Sequence, residues 1–165
     1  MKMYLSYLGY FSLSLLVFLS VTSCGSRCLD PNSINNGKKG DCVYPSDDWV
    51  GRYDVTYTYT PTSGSGSGFT AQSELEILKA TNTDITVKNL GGCTNFFTAT
   101  IPKLSPTEFN GAPAYTATCD AVSYTVSLMS GSIIPSTGDI SLSFHLTPTN
   151  PALTWYNCAA TGKKK

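Results

Sequence analysis

The chain reads as an all-β protein, antiparallel, with an up-and-down meander of about eight strands closed into a barrel. Three observations predict this. Apolar and polar residues alternate with period two in most segments after Trp49. Thr, Ser, Tyr and Gly are abundant while good helix formers are sparse, and 10 tyrosines suit pleated, half-buried strands. No connecting segment reads as a crossover helix, so neighbouring strands should run antiparallel. A continuous meander loses its free edges by closing into a barrel; a β-sandwich is the alternative.

The first element is a leader. Lys2 supplies one positive charge, and residues 5–21 are apolar and uncharged, centred on Leu15, Leu16, Val17, Phe18 and Leu19. That run is short for a membrane span and ends in small residues, which reads as a signal peptide over residues 1–23. Val21-Thr22-Ser23-Cys24 resembles the bacterial lipobox. The resemblance implies cleavage before Cys24 and acylation of its sulfur and amino group. Several acyl chains together make a stable anchor. Gly25 follows the cysteine, where Asp would resemble an inner-membrane retention signal, so an outer-membrane address is favoured.

Residues 24–48 form the second element, a lipidated tether and a small loop. Cys28-Leu29-Asp30-Pro31-Asn32 leads to Asp41-Cys42-Val43-Tyr44. This resembles a cysteine-bounded module of bacterial envelope proteins, C-x-DPxAxN followed by D-G-S-C-x-Y. The resemblance implies a Cys28–Cys42 disulfide, which would contribute about 3 kcal/mol for a loop of roughly fifteen residues. Asp30, Asn32, Asn35, Asn36 and Asp41 invite a calcium reading. An EF-hand register fails, because Gly37 at position six puts Ile34 and Val43 at positions that need oxygen ligands. Turn chemistry is the simpler reading.

The third element, residues 49–163, carries the strands. Tyr53, Val55, Tyr57 and Tyr59 point one way, and Asp54, Thr56, Thr58 and Thr60 the other. Residues 61–68 are a Ser/Gly/Thr connection. Leu75 and Ile77 alternate with Glu74 and Glu76; a turn at 81–84 precedes Ile85 and Val87; Gly91 and Gly92 precede a strand over 95–101. Segments near Glu108 and over 115–119 are strand-like. Val122, Tyr124, Val126 and Leu128 form the next alternation, then Ile140, Leu142, Phe144 and Leu146, and residues 153–161 close the meander. Trp49-Val50-Gly51-Arg52-Tyr53 is similar to the lipocalin-type G-x-W opening, with Tyr53 in place of Trp. The stretch also resembles barrel domains of small bacterial envelope lipoproteins, in Val50 to Val55, Val87 to Gly91, Ser130 to Ile134 and Cys158 to Lys163. That family has no established activity, so the resemblance implies a lipocalin-like fold rather than a function.

Once Cys24 takes lipid, five of the 6 cysteines remain. Cys93 and Cys119 are equally distant from a plausible turn near Pro106, so a hairpin would place them side by side. Cys119–Cys158 competes, and Cys158 is otherwise a small apolar strand residue. Zinc is a poor reading, with no C-x-x-C and His145 as the single histidine.

No catalytic constellation emerges. His145 falls on the polar face of a strand beside Ser141 and Ser143, without the shaped turn a nucleophile needs. Glu74 and Glu76 read as a solvated outer face rather than a glycosidase pair. Charge is balanced, with 11 basic and 11 acidic residues and no basic stripe, so nucleic acid is not an expected partner. Lys163 to Lys165 reads as a solvated tail. The expectation is a lipid-anchored, non-catalytic lipoprotein of the cell envelope, without metal or cofactor. It would meet an envelope protein or glycan through Trp49, Tyr44 or Trp155. The alternative is a small apolar ligand inside the barrel, lined by Tyr53, Tyr57, Tyr59, Phe144 and Trp155.

Overall fold

A computed structural model describes residues 26–63, 66–93, 96–119 and 121–165. The leader, the lipobox and Cys24 lie outside the described residues, as does Asn95 at the expected start of the fourth strand.

Residues 26–31 and 35–42 belong to a small unit of their own. A disulfide joins Cys28 to Cys42, and Arg27 bridges to Lys39. Gly37 and Gly40 adopt positive φ, 78° and 113°, where a side chain would be strained. The Asn35 amide donates to the Asp41 carbonyl at 2.7 Å, turn chemistry of the kind Asx residues supply.

The other unit is an antiparallel barrel, nearly closed. Its strands are β1 (Gly51–Ser63), β2 (Phe69–Lys79), β3 (Asp84–Lys88), β4 (Phe96–Thr100), β5 (Glu108–Ala112), β6 (Tyr115–Cys119), β7 (Val122–Ile134), β8 (Asp139–Pro148) and β9 (Trp155–Lys164). They pair in the order β4-β3-β2-β1-β9-β8-β7, and β5 and β6 both pair with β7. β5 and β6 therefore make one broken stave, which gives eight staves in all. The break falls at Pro113, which cannot donate to a ladder, beside a register shift between Asn110 and Ala112 where Gly111 has φ 74°. A barrel replaces the sandwich alternative: β9 pairs with both β8 and β1, and so joins the two halves of the meander.

Alternation decides what fills the interior. Tyr53, Val55, Tyr57 and Tyr59 of β1 are all buried, as are Leu75 and Ile77 of β2, and Leu142 and Phe144 of β8. β7 departs from the expected pattern. A bulge between Ser127 and Ser130 inserts a residue and switches the buried set from Val126 to Met129 and Ile133. The Lys163 to Lys165 stretch also departs from a free tail. Lys163 and Lys164 end β9, and Lys165 pairs with Asp54 at 2.9 Å and Glu74 at 2.6 Å.

One end of the barrel is shut by Trp49, which is fully buried. Its indole N–H donates to the Pro106 carbonyl at 2.8 Å, and the Tyr53 hydroxyl donates to the Trp49 carbonyl at 2.7 Å. The preceding residues clasp this end. The Ser46 hydroxyl lies 3.0 and 3.1 Å from the carbonyls of Thr81 and Asn82, and Asp47 pairs with Lys79 at 2.6 Å.

Candidate functional site

The opposite end of the barrel is open. It is built by the end of β1, the start of β2, the turn at Leu90–Gly92, the end of β6 with the start of β7, and the end of β8 with the start of β9. Phe69 sits at the rim, 50% exposed. Its ring stacks on Tyr59 with centroids 4.4 Å apart and planes 13° apart. Tyr156 meets both rings edge-on, at 6.2 Å from Tyr59 and 5.7 Å from Phe69. Beneath Tyr59 the column continues to Tyr57 at 6.3 Å, and from there to Phe144 at 6.5 Å.

These rings border a cavity of about 180 Å³, walled by Tyr59, Phe69, Tyr124, Tyr156, Val122 and Leu146. The Cys93–Cys119 disulfide lies in the same wall. Among the described residues no charged side chain lines it. Residues 55–73, 89–102 and 121–138 carry no Asp, Glu, Lys or Arg, and Asp120 lies outside the described residues. Charge gathers toward the closed end instead, where Arg52 pairs with Glu74 and Glu76 at 3.5 and 3.6 Å on the outer face.

One corner of the cavity is polar. Gly91, in its wall, adopts φ 65°, and the Tyr59 hydroxyl donates to the Gly91 carbonyl at 3.3 Å. A Cβ at Gly91 would lie 2.7 Å from that hydroxyl, so glycine is needed for the close approach as well as the backbone angle. Next to this corner, the Tyr57 and Ser73 hydroxyls are buried, with no hydrogen-bond partner at full geometry among the described residues. Burial raises the Tyr57 pKa; the Gly91 backbone and the Ser73 hydroxyl oppose the shift without reaching hydrogen-bond geometry. Burial likewise raises the pKa of Tyr115, and Tyr57 adds to it.

The five candidate ligand-lining residues fare differently. Tyr59 lines the cavity. Tyr53, Tyr57 and Phe144 are buried in the packed interior, where they fill the barrel rather than line space. Trp155 is a correction: it is 42% exposed, on the outer side of β9. In that strand Cys158 and Ala160 are buried, so even-numbered positions face inward and Tyr156 takes the place expected of Trp155. Trp49, expected on the surface, is the buried plug. Phe69, Tyr124 and Tyr156 are liners that the sequence reading missed, although the parity of Tyr156 with Cys158 was a usable signal.

Cys158 is a free, buried thiol whose pKa burial pushes up to about 12. His145 lies on the outer face of β8, opposite Ser127 on β7 and Asn157 on β9. Among the described residues no group of three or more His, Cys, Asp or Glu could hold a metal ion. A larger concavity, about 520 Å³, runs over the outer wall between Asp54, Ser132, Asp139, Ser141 and Thr161. It is shallow, and among the described residues no aromatic side chain lines it.

No protein-family model matches the chain, and neither does any curated protein sequence. Solved structures similar to it include the following two. A redesigned β-barrel is 12% identical, with TM-score 0.46, over 76% of this chain and 99% of that one. A "putative outer membrane protein" from Bacteroides fragilis is 13% identical, with TM-score 0.49, over 76% of this chain and 55% of that one.

Proposed function

We propose that this protein is a lipid-anchored, non-catalytic binding module of the bacterial outer envelope, and that the open barrel end takes a small apolar ligand. The observation that carries the reading is the aromatic cavity of about 180 Å³ behind half-exposed Phe69. An apolar ring left half in water gains roughly 25 cal/mol for each Å² that a ligand covers. The size restricts the ligand. Drug-sized molecules take about 300 Å³ or more, whereas a dry cavity of about 150 Å³ accepts benzene. One ring with a short substituent fits; a long acyl chain does not. Anchoring rests on the lipobox-like Val21 to Cys24, and two disulfides suit an oxidising compartment.

A second reading, contact with an envelope protein or glycan, draws on Trp155 and Phe69, both exposed. The test is native mass spectrometry of the full chain carrying Cys24→Ser, secreted into an oxidising periplasm. The substitution should move the protein from the membrane to the soluble fraction. The expected spectrum holds an adduct of discrete low mass, lost on denaturation and absent from Phe69→Ala. A bare mass in both proteins, with no one-ring compound restoring an adduct, would defeat the cavity reading and leave the surface one.

A further inference from the structure

The outside of a closed barrel curves toward solvent, so a hollow in it needs a local cause. We propose that the concavity of about 520 Å³ on the outer wall is part of a polar groove that binds a neutral, linear glycan chain, separately from the aromatic mouth.

The groove follows one line of cross-strand partners. Thr56 pairs with Thr161, Thr161 with Ser141, Ser141 with Ser132, and Ser132 with Glu108, so its floor crosses β1, β9, β8, β7 and β5. At about 4.8 Å between neighbouring strands, that line is roughly 19 Å long. The bank nearer the closed end is the next outward line of partners, Asp54, Lys163, Asp139 and Ile134. These four line the concavity together with Thr56, Thr161, Ser141 and Ser132. The other bank is Ser143, Ser130 and Asn110, which line a smaller hollow of about 240 Å³. Ser132 and Ser141 belong to both hollows, so the two are continuous. Two register shifts flank the floor, one in β7 between Ser127 and Ser130 and one in β5 between Asn110 and Ala112. Such irregularities bend their strands and account for the hollow.

The chemistry of the groove fits a polyhydroxylated chain. Ser132, Ser141 and Thr161 are exposed, and Ile134 is 54% exposed. A hydroxyl both donates and accepts, as each hydroxyl of a sugar does, so the floor can match a sugar chain group by group. The Asp139 and Glu108 carboxylates add charge-assisted acceptors. Ile134 offers an apolar patch to the C–H face of a pyranose. Short side chains such as these lose little rotamer freedom when covered.

Other partners fit less well. A peptide strand would seek a free sheet edge, whereas the groove runs across β1, β9, β8 and β7, each laddered on both sides. Charge in the groove is mixed rather than one-signed. Lys163 stands between Asp54 and Asp139, and Lys165 pairs with Asp54 at 2.9 Å. A neutral chain is the complementary one.

Pentasaccharides titrated into the full chain carrying Cys24→Ser separate the possibilities. The neutral probes are cellopentaose, maltopentaose and the pentamer of N-acetylglucosamine; the charged ones are the pentamers of glucosamine and of galacturonic acid. At least one neutral pentamer should shift the amide resonances of Thr161, Ser141 and Ser132 while leaving Tyr156, at the mouth, unmoved. Ser141→Ala and Thr161→Ala should each weaken that binding about three- to tenfold, the range one net hydrogen bond provides. Ser141→Arg, which fills the floor, should abolish it. All three variants lie at exposed positions and should keep their urea midpoint. Absence of shifts with every neutral pentamer would overturn the inference and leave the reading of the mouth untouched. Tighter binding of either charged pentamer would overturn it too, as would neutral binding that survives Ser141→Arg. Shifts centred on Trp155 and Asn157 instead of the groove would overturn it in favour of the exposed aromatic surface.

Discussion

Asp84 opens β3, and its carboxylate is spoken for on both oxygens. The Thr100 hydroxyl donates to one at 2.6 Å, and the Thr81 hydroxyl to the other at 2.6 Å. Thr81 in turn accepts the backbone N–H groups of Asp84 and Thr83 at 3.0 and 3.2 Å, which sets the turn between β2 and β3. The Thr100 bond, then the Thr81 bond, hold the Asp84 carboxyl below its ordinary value of 3.8. Because the folded value is the lower one, the stabilisation is complete above pH 3.8 and fades as pH falls through the folded value. Asp84→Asn should therefore cost about 1 kcal/mol at neutral pH. Urea unfolding across the acid range checks this. The gap between Asp84→Asn and the unsubstituted protein should close in strong acid, and a gap independent of pH would contradict the assignment. The turn at 81–84 was legible from Thr81-Asn82-Thr83-Asp84, since such side chains bond to nearby backbone. The two tryptophans were not legible. Trp49 and Trp155 look alike in a sequence, but one fills the closed end and the other faces outward. The difference lies in strand parity and in a carbonyl, that of Pro106, 57 positions away.

At the scale of elements, alternation made β1, β3, β8 and the Leu75–Ile77 part of β2 readable, because the inward positions there are large apolar residues or tyrosines. It failed in the second half of β7. The expected strand stops at Leu128, whereas β7 runs to Ile134 through Ser130-Gly131-Ser132. Nothing in that triplet looks like core. The missing volume comes from a neighbour: Gly131 pairs with Phe109, and the Phe109 ring occupies the space a Cβ would need. Leu142 on the other side would approach that Cβ at 2.7 Å. A strand glycine here marks close packing rather than a turn. Gly131→Ala should destabilise by about 1–3 kcal/mol through overpacking, even though alanine is the better strand former. Chemical denaturation measures the loss. The companion Phe109→Leu, which retracts the ring, should recover part of it in the double variant, and strictly additive losses would rule out this contact as the cause.

For the whole molecule the decisive question is how the barrel closes. Among the described residues, ladders join every neighbouring pair of staves except β4 and the broken stave of β5 and β6. At that seam side chains replace backbone. Phe97 stacks on Tyr115 with centroids 5.7 Å apart, and tilts against Phe109 at 6.3 Å. Beyond them the Cys93–Cys119 disulfide clamps the open end. Phe97 follows Cys93 by four positions, and Tyr115 precedes Cys119 by four. The ring pair and the disulfide therefore share one antiparallel register. This is why hairpin symmetry about Pro106 could locate the cysteine pair from sequence, although the strands between them form no ladder with each other. The competing Cys119–Cys158 bridge is not formed: Cys119 is bonded to Cys93, and Cys158 is a free, buried thiol. The disulfide closes a sequence separation of 26, for which chain entropy gives about 3.5 kcal/mol. Replacing Cys93 and Cys119 together by alanine should lower stability by about that amount in urea. Because the clamp sits on the one seam without a ladder, the loss should not be spread evenly. Amide exchange should quicken first in β4 and β6, while β1, β8 and β9, laddered on both sides, keep their protection. Uniform loss of protection around the barrel would mean that the seam is held by the aromatic stack and the disulfide acts only on the unfolded chain.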